Sequence, residues 1–91
     1  MTTSAEKDHM LMIKGMPCGV CEAPAPSACH HITEGSRRVS HYLTIPLCQD
    51  CHQGSHNGLH GEKAMWRVMK MTELKVLANT IELIKKVFDE I

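Results

Sequence analysis

Aromatic residues are scarce in this chain, with one Trp, one Tyr and one Phe among 91 residues. A core built on large rings is excluded, and seven Met stand in as adaptable filling. An excess of either charge is also missing, since ten Lys plus Arg balance ten Asp plus Glu. Non-specific affinity for polyanions draws on cationic excess. Zero net charge therefore excludes a generic nucleic-acid coat, though not a local basic patch. No apolar run reaches the roughly 18 residues that would read as a membrane span. The stretch "MTTSAEKDHMLMIKGM" has no basic region ahead of an apolar segment, so it does not read as a secretory signal. The expectation is a cytoplasmic chain whose thiols stay reduced. No internal repeat is visible.

What is present is a concentration of metal-binding side chains. The segment Ser27–Gly61 carries six of the seven His and three of the five Cys. A chain of 91 residues fits one domain, 1–91, and so small a core commonly carries a disulfide or metal staple. Five Cys is an odd number, and two closely spaced pairs among them suit a metal better than a disulfide framework.

The coarse pattern is α+β. Residues 1–4 are expected to be disordered. Met10, Leu11 and Ile13 give one side of a short helix from Ala5 to about Lys14, stopped by Gly15 and Pro17. "PCGVCEAPAPSAC" holds three of the four Pro and is irregular backbone. "CHHIT" reads as a short strand, "EGSRRVS" as a polar loop, and "HYLTIPLC" as a second strand that ends or lies at an edge at Pro46. Gly54, Gly58 and Gly61 make a continuous helix after Cys51 doubtful. Ala64, Met65, Val68 and Met69 keep helical spacing. Leu74, Leu77, Ala78, Ile81, Ile84, Phe88 and Ile91 follow the i, i+3, i+4, i+7 rule over 72–91, with Thr72 as N-cap. That stripe is expected to face the core, with a dimer contact as the alternative.

Cys18-x2-Cys21 and Cys48-x2-Cys51 are two knuckles with residues 22–47 between them. A two-residue gap lets both thiolates of a knuckle turn to one ion, and two knuckles complete a closed tetrahedral S4 shell that suits structural Zn2+. Local disulfides or free thiols are the alternative. Cys29 stands outside both knuckles and reads as a small hydrophobe or a reserve ligand.

The histidines suggest a second, open site. On a strand, the side chains of His30 and His31 point to opposite faces, so one can hold a metal while the other meets water. His52 follows a knuckle cysteine directly. His30, His52 and one of His56 or His60 would leave coordination positions open, as a catalytic metal requires.

The order Cys-x2-Cys, His-His, then a strand ending in "PLCQDCH" resembles an HNH endonuclease of the ββα-metal class. "CHHI…HYLTIPLCQDCHQG…LHG" is similar to the phage recombination-enhancement, RecA-dependent nuclease type, over roughly Met16–Trp66. The resemblance implies a zinc-stapled ββα-metal core over 16–66 with a two-stranded β-hairpin, flanked by an N-terminal helix and a long C-terminal helix. It implies hydrolysis of DNA phosphodiesters, with His31 as general base and His30 and His52 as ligands of one divalent ion, Mg2+, Mn2+ or Zn2+. A final histidine completes that set. His56 matches the His-x3-His spacing of bacterial toxin nucleases, and His60 in "LHG" matches the phage type and is preferred. The middle Asn of the HNH name is missing near the second strand, where His41 is the nearest residue able to hold the base. The implied setting is a phage or prophage protein in a bacterial host cell, with DNA as substrate, a recombinase such as RecA as partner, and no small-molecule substrate.

Arg37 and Arg38 in the loop, and Lys63, Arg67 and Lys70 at helical spacing, form a candidate phosphate-binding stripe. Solvated surface charge is the simpler account of each. Trp66 reads as core rather than as a base-stacking residue. Two further readings compete with the nuclease. One is a non-catalytic zinc module for nucleic acid or a partner protein, which gives His30, His31 and His52 no role. The other is a nuclease-like domain without activity.

Overall fold

The structure is a computed structural model that describes residues 2–89. Its first element is α1 (Ser4–Lys14). The helix starts on a capping box, in which Glu6 N–H donates to Thr3 Oγ1 at 3.1 Å and Thr3 N–H to Glu6 Oε1 at 2.8 Å. Thr3 and Ser4 thus belong to a regular helix start, which corrects the expectation of disorder for those two residues. The helix meets the rest of the protein through Ile13, its one fully buried residue.

β1 (Ala28–His31) pairs antiparallel with β4 (Thr44–Leu47), in the register Ala28 to Leu47, Cys29 to Pro46, His30 to Ile45 and His31 to Thr44. All four residues of β4 are buried. Pro46 offers no N–H, and its carbonyl accepts from Gly19 N–H at 2.9 Å, so the first knuckle covers the free edge of β4. The strand is shorter than "HYLTIPLC", because Tyr42 sits in the preceding turn, edge-on to His9. The polar loop holds a miniature hairpin of β2 (Thr33–Glu34) and β3 (Arg37–Arg38).

α2 (Gln49–Gln53) follows β4 directly. After an irregular loop come α3 (Ala64–Val68) and α4 (Glu73–Asp89). The core cluster is Cys18, Val20, Ile45, Leu47, Cys51, Trp66 and Val76, so two of the knuckle thiols are themselves core residues. Trp66 is buried and its Nε1–H donates to Cys51 O at 2.9 Å.

α4 is capped by Thr72, whose Oγ1 accepts from Lys75 N–H at 3.2 Å. Its inward face shares only part of the expected stripe, in that Leu77 packs against the core. Val76 and Thr80 are buried, whereas Leu74, Ile81 and Phe88 are exposed and Ile91 lies outside the described residues. The contact with β4 and the first knuckle sets the rotation, and Thr80 tolerates burial because its hydroxyl donates to Val76 O at 2.7 Å. Among the described residues, no helix is long and apolar enough to cross a membrane.

Candidate metal centres and histidine pair

Two groups of side chains gather at the junction of β1, β4 and α2. In the first, the sulfurs of Cys18, Cys21, Cys48 and Cys51 all lie within 4.8 Å of one another. Cys18 and Cys21 come from the turn after α1. Cys48 is the N-cap of α2, and Cys51 lies in its first turn. Cys21 Sγ and Cys48 Sγ are 3.6 Å apart. Two thiolates bound to one tetrahedral ion at ~2.3 Å stand about 3.8 Å apart, so the spacing fits a shared cation. Val20 N–H donates to Cys18 Sγ and Cys51 N–H to Cys48 Sγ, each at 3.4 Å.

The electrostatics agree. Burial pushes the Cys18 thiol up, but the backbone amides of Cys21, Cys48 and Val20 outweigh it and bring it down to about 7. Burial pushes Cys51 and Cys21 up, and the Cys48 sulfur beside each adds to the rise. Four thiolates at this spacing repel one another and need a cation between them. The donor set fits a metal ion.

The second group is His30 from β1, His52 from α2 and His60 from the following loop, with one ring nitrogen of each within 4.8 Å of the others. His30 Nδ1 and His52 Nε2 are 3.2 Å apart. Nitrogens bound to one tetrahedral ion at ~2.0 Å stand about 3.3 Å apart, so this set also fits a cation. His60 arrives because the loop folds back on α2. Leu59 N–H donates to Cys51 O and Gly58 N–H to Gly54 O, each at 2.9 Å. A side chain at Gly58 would collide with the Gly54 backbone, so the loop closes only with glycine there. His30 is enclosed, His52 intermediate and His60 exposed, which leaves the group open to solvent on one side.

His56 does not join the group. Its Nδ1 contacts Glu62 Oε2 at 3.0 Å, out in solvent. The helix that would align His52, His56 and His60 ends at Gln53.

His31 is not among the mutually close ligand atoms of this group. Its Nε2 lies 3.0 Å from His41 Nδ1, and the rings meet edge to face. Burial, then Arg38, His41 and His30, hold the His31 imidazole below its ordinary value. Burial likewise lowers His52, and it lowers His30 against the opposing pull of Glu73. Each of the three imidazoles is thus shifted toward its neutral form.

The candidate phosphate contacts are scattered. Arg37 and Arg38 are exposed on β3 rather than in an open loop. Lys63, Arg67 and Lys70 do not form a helical stripe, because α3 covers only residues 64–68. Lys63 and Lys70 flank it with left-handed φ of 58° and 54°, and the Arg67 guanidinium donates to Glu62 O. Lys63 and Arg67 do line one open pocket of about 390 Å³ with Leu59, Trp66 and Glu73.

Glu73 escaped the sequence reading. Its Oε2 lies 3.4 Å from His30 Nε2, across a separation of 43 residues. The only local sign was its place just after the Thr72 cap, a common position for an acidic residue at a helix start.

Over residues 2–90 the chain matches the family described as recombination enhancement, RecA-dependent nuclease. Neither the curated proteins nor the solved structures contain a match. The chain belongs to the family of RecA-dependent nucleases of recombination enhancement.

Proposed function

We propose that this member of the family is a metal-dependent DNA endonuclease of the HNH type. In this reading 1–91 is one nuclease domain, and β1, β4 and α2 are its ββα-metal core. Zn2+ at Cys18, Cys21, Cys48 and Cys51 is structural, since four thiolates leave no open position. The observation that carries the reading is the split at the histidine pair. His30 and His31 are neighbours in sequence, yet His30 faces His52 and His31 faces His41.

The division of labour follows from that split. With His31 Nε2–H donated to His41 Nδ1, His31 Nδ1 keeps a lone pair and takes the proton of an attacking water. The neutral form needed for this is the one favoured at neutral pH. Water oxygen attacks phosphorus, and the bond to the leaving 3′ oxygen breaks. His41 lies near where the HNH pattern has Asn, and in this reading it holds the base in one tautomer. His30, His52 and His60 hold one divalent ion, Mg2+, Mn2+ or Zn2+. Once bound, that ion supplies Lewis acidity for the charge that develops on the phosphate oxygens.

Arg37 and Arg38 contact DNA phosphates beside His31, with Lys63, Arg67 and Lys70 as outlying contacts. A chain of zero net charge binds DNA weakly by itself, which favours delivery by a recombinase such as RecA on the DNA. The setting is the cytoplasm of a bacterial host, in phage or prophage recombination.

The test is nicking of supercoiled plasmid with Mg2+ or Mn2+, with and without a RecA filament, read beside total metal content. Cleavage that needs the added ion and the filament supports the reading. One bound ion per chain with no cleavage under any condition favours a non-catalytic zinc module instead.

A further inference from the structure

Glu73 is the one acidic side chain in contact with the three-histidine group among the described residues. His30 is held from both ring nitrogens. Nδ1 faces His52 Nε2 at 3.2 Å, and Nε2 faces Glu73 Oε2 at 3.4 Å. The His30 side chain is only 11 % exposed, so water does not readily replace either partner.

A neutral imidazole carries one N–H and one lone pair. Beside a carboxylate, the lone pair of Nε2 would be repelled, whereas N–H would be attracted. The carboxylate therefore selects the tautomer with the proton on Nε2. That choice leaves the Nδ1 lone pair facing His52. The nitrogen contributed to the three-histidine group is thus the one able to bind a cation.

The placement of Glu73 is itself determined by packing. It is the first residue of α4, next to the Thr72 cap. The positive end of the helix dipole favours its carboxylate there. Three residues on, Val76 is fully buried in the core cluster, and Thr80 continues the same face. A side chain at Gly19, in the first knuckle, would run into Val76. One face of α4 thus touches the cysteine knuckle through Val76 and the histidine group through Glu73.

We propose that Glu73 is a positioning residue for the His30–His52–His60 centre, holding His30 in its metal-binding tautomer and linking the seating of α4 to metal uptake. This rests on the reading that the three imidazoles hold an ion. Glu73 lies outside the set of mutually close ligand atoms, and it acts through His30. A carboxylate on a ligand histidine also raises the basicity of the ligand nitrogen. Linkage is reciprocal, so whatever α4 contributes to ion affinity, the ion returns to the start of α4.

The test uses the full chain with its cysteine site loaded and Mn2+ as the probe. Mn2+ affinity is measured by calorimetry in the wild type, Glu73→Gln and Glu73→Ala. The His30 tautomer is read from 15N chemical shifts before Mn2+ is added. Glu73→Ala should weaken Mn2+ binding by about 10- to 100-fold, the usual cost of losing such a partner. Zinc content and helical circular dichroism should stay unchanged. Glu73→Gln keeps an oxygen that can accept from Nε2–H and should lose less. His30 should be in the Nε2–H form in the wild type and mixed in Glu73→Ala. Equal Mn2+ affinity in wild type and Glu73→Ala overturns the proposal, as does an Nδ1–H tautomer in the wild type. If the wild type takes up no Mn2+ at the histidines, the metal reading itself fails, and the proposal fails with it.

Discussion

His31 Nε2 and His41 Nδ1 stand 3.0 Å apart, one on β1 and the other in the turn before β4. Neither ring belongs to the mutually close ligand atoms of His30, His52 and His60. If His31 is the base, His31→Ala should reduce plasmid nicking by about 10²- to 10⁴-fold, the usual contribution of a positioned base. His41→Ala should cost less, because it removes orientation and leaves the base in place. Both variants should keep wild-type circular dichroism and zinc content. Full nicking by His31→Ala would rule out its role as base.

The cysteine knuckles make a separate prediction. Cys18 and Cys51 belong to the hydrophobic core as well as to the sulfur group. If the four sulfurs hold zinc, its loss should therefore loosen the core and the knuckle turn together. Cys48→Ala should release zinc and lower the melting temperature, by about 10 °C for each ~2 kcal/mol lost in a domain of this size. An unchanged zinc stoichiometry would refute the four-cysteine site.

Gly19 and Val76 should behave as a coupled pair. Val76→Ala removes two buried methyl groups and should cost about 2 kcal/mol. Gly19→Ala forces a methyl into the space of Val76 Cγ1 and should cost about 1–3 kcal/mol by overpacking. In the double variant the added methyl occupies vacated space. Its loss, from urea denaturation, should fall clearly below the sum of the two. Simple additivity would show that α4 does not seat on the knuckle.

Acid should weaken the fold through the histidines. His30, His31 and His52 are each lowered from the ordinary imidazole value, with burial as the first cause. The unfolded chain takes up protons near pH 6.5, where the folded chain still resists them. Their contribution is complete above about pH 6.5 and is lost as pH falls through the lower folded values. Thermal midpoints should thus drop between pH 7.5 and pH 5.5 at constant zinc content, and less steeply in His31→Ala. A midpoint that rises over that window would contradict the partly buried placement of these rings and their shift toward the neutral form.

Some of this was legible before any fold was known. The two-residue gaps at 18–21 and 48–51 fall within single turns, so local geometry alone brings each pair of sulfurs together. The adjacency of His30 and His31 implies opposite faces once a strand is granted, because the strand period is two. Thr72 advertised the start of α4 by its residue type and place. The apolar stripe of α4 specifies the helix but only part of its buried face, with Leu77 packed against the core. Periodicity identifies a helix, but the partner surface chooses which face is buried. Here β4 and Gly19 took Val76 and Thr80 and left Leu74, Ile81 and Phe88 outside.

By itself, then, the sequence determined the content of the protein: α+β elements, two sulfur knuckles, and histidines on both sides of one strand. These are short-range properties, set by turn geometry, strand alternation and helix caps. The tertiary structure decided what meets what. It brought His60 rather than His56 to His30 and His52, because the loop after α2 folds back on Cys51 and Gly54. It set His41 against His31, and it carried Glu73 across 43 residues to His30. Such contacts depend on how separate elements pack, and no local spacing encodes which surfaces are buried against each other.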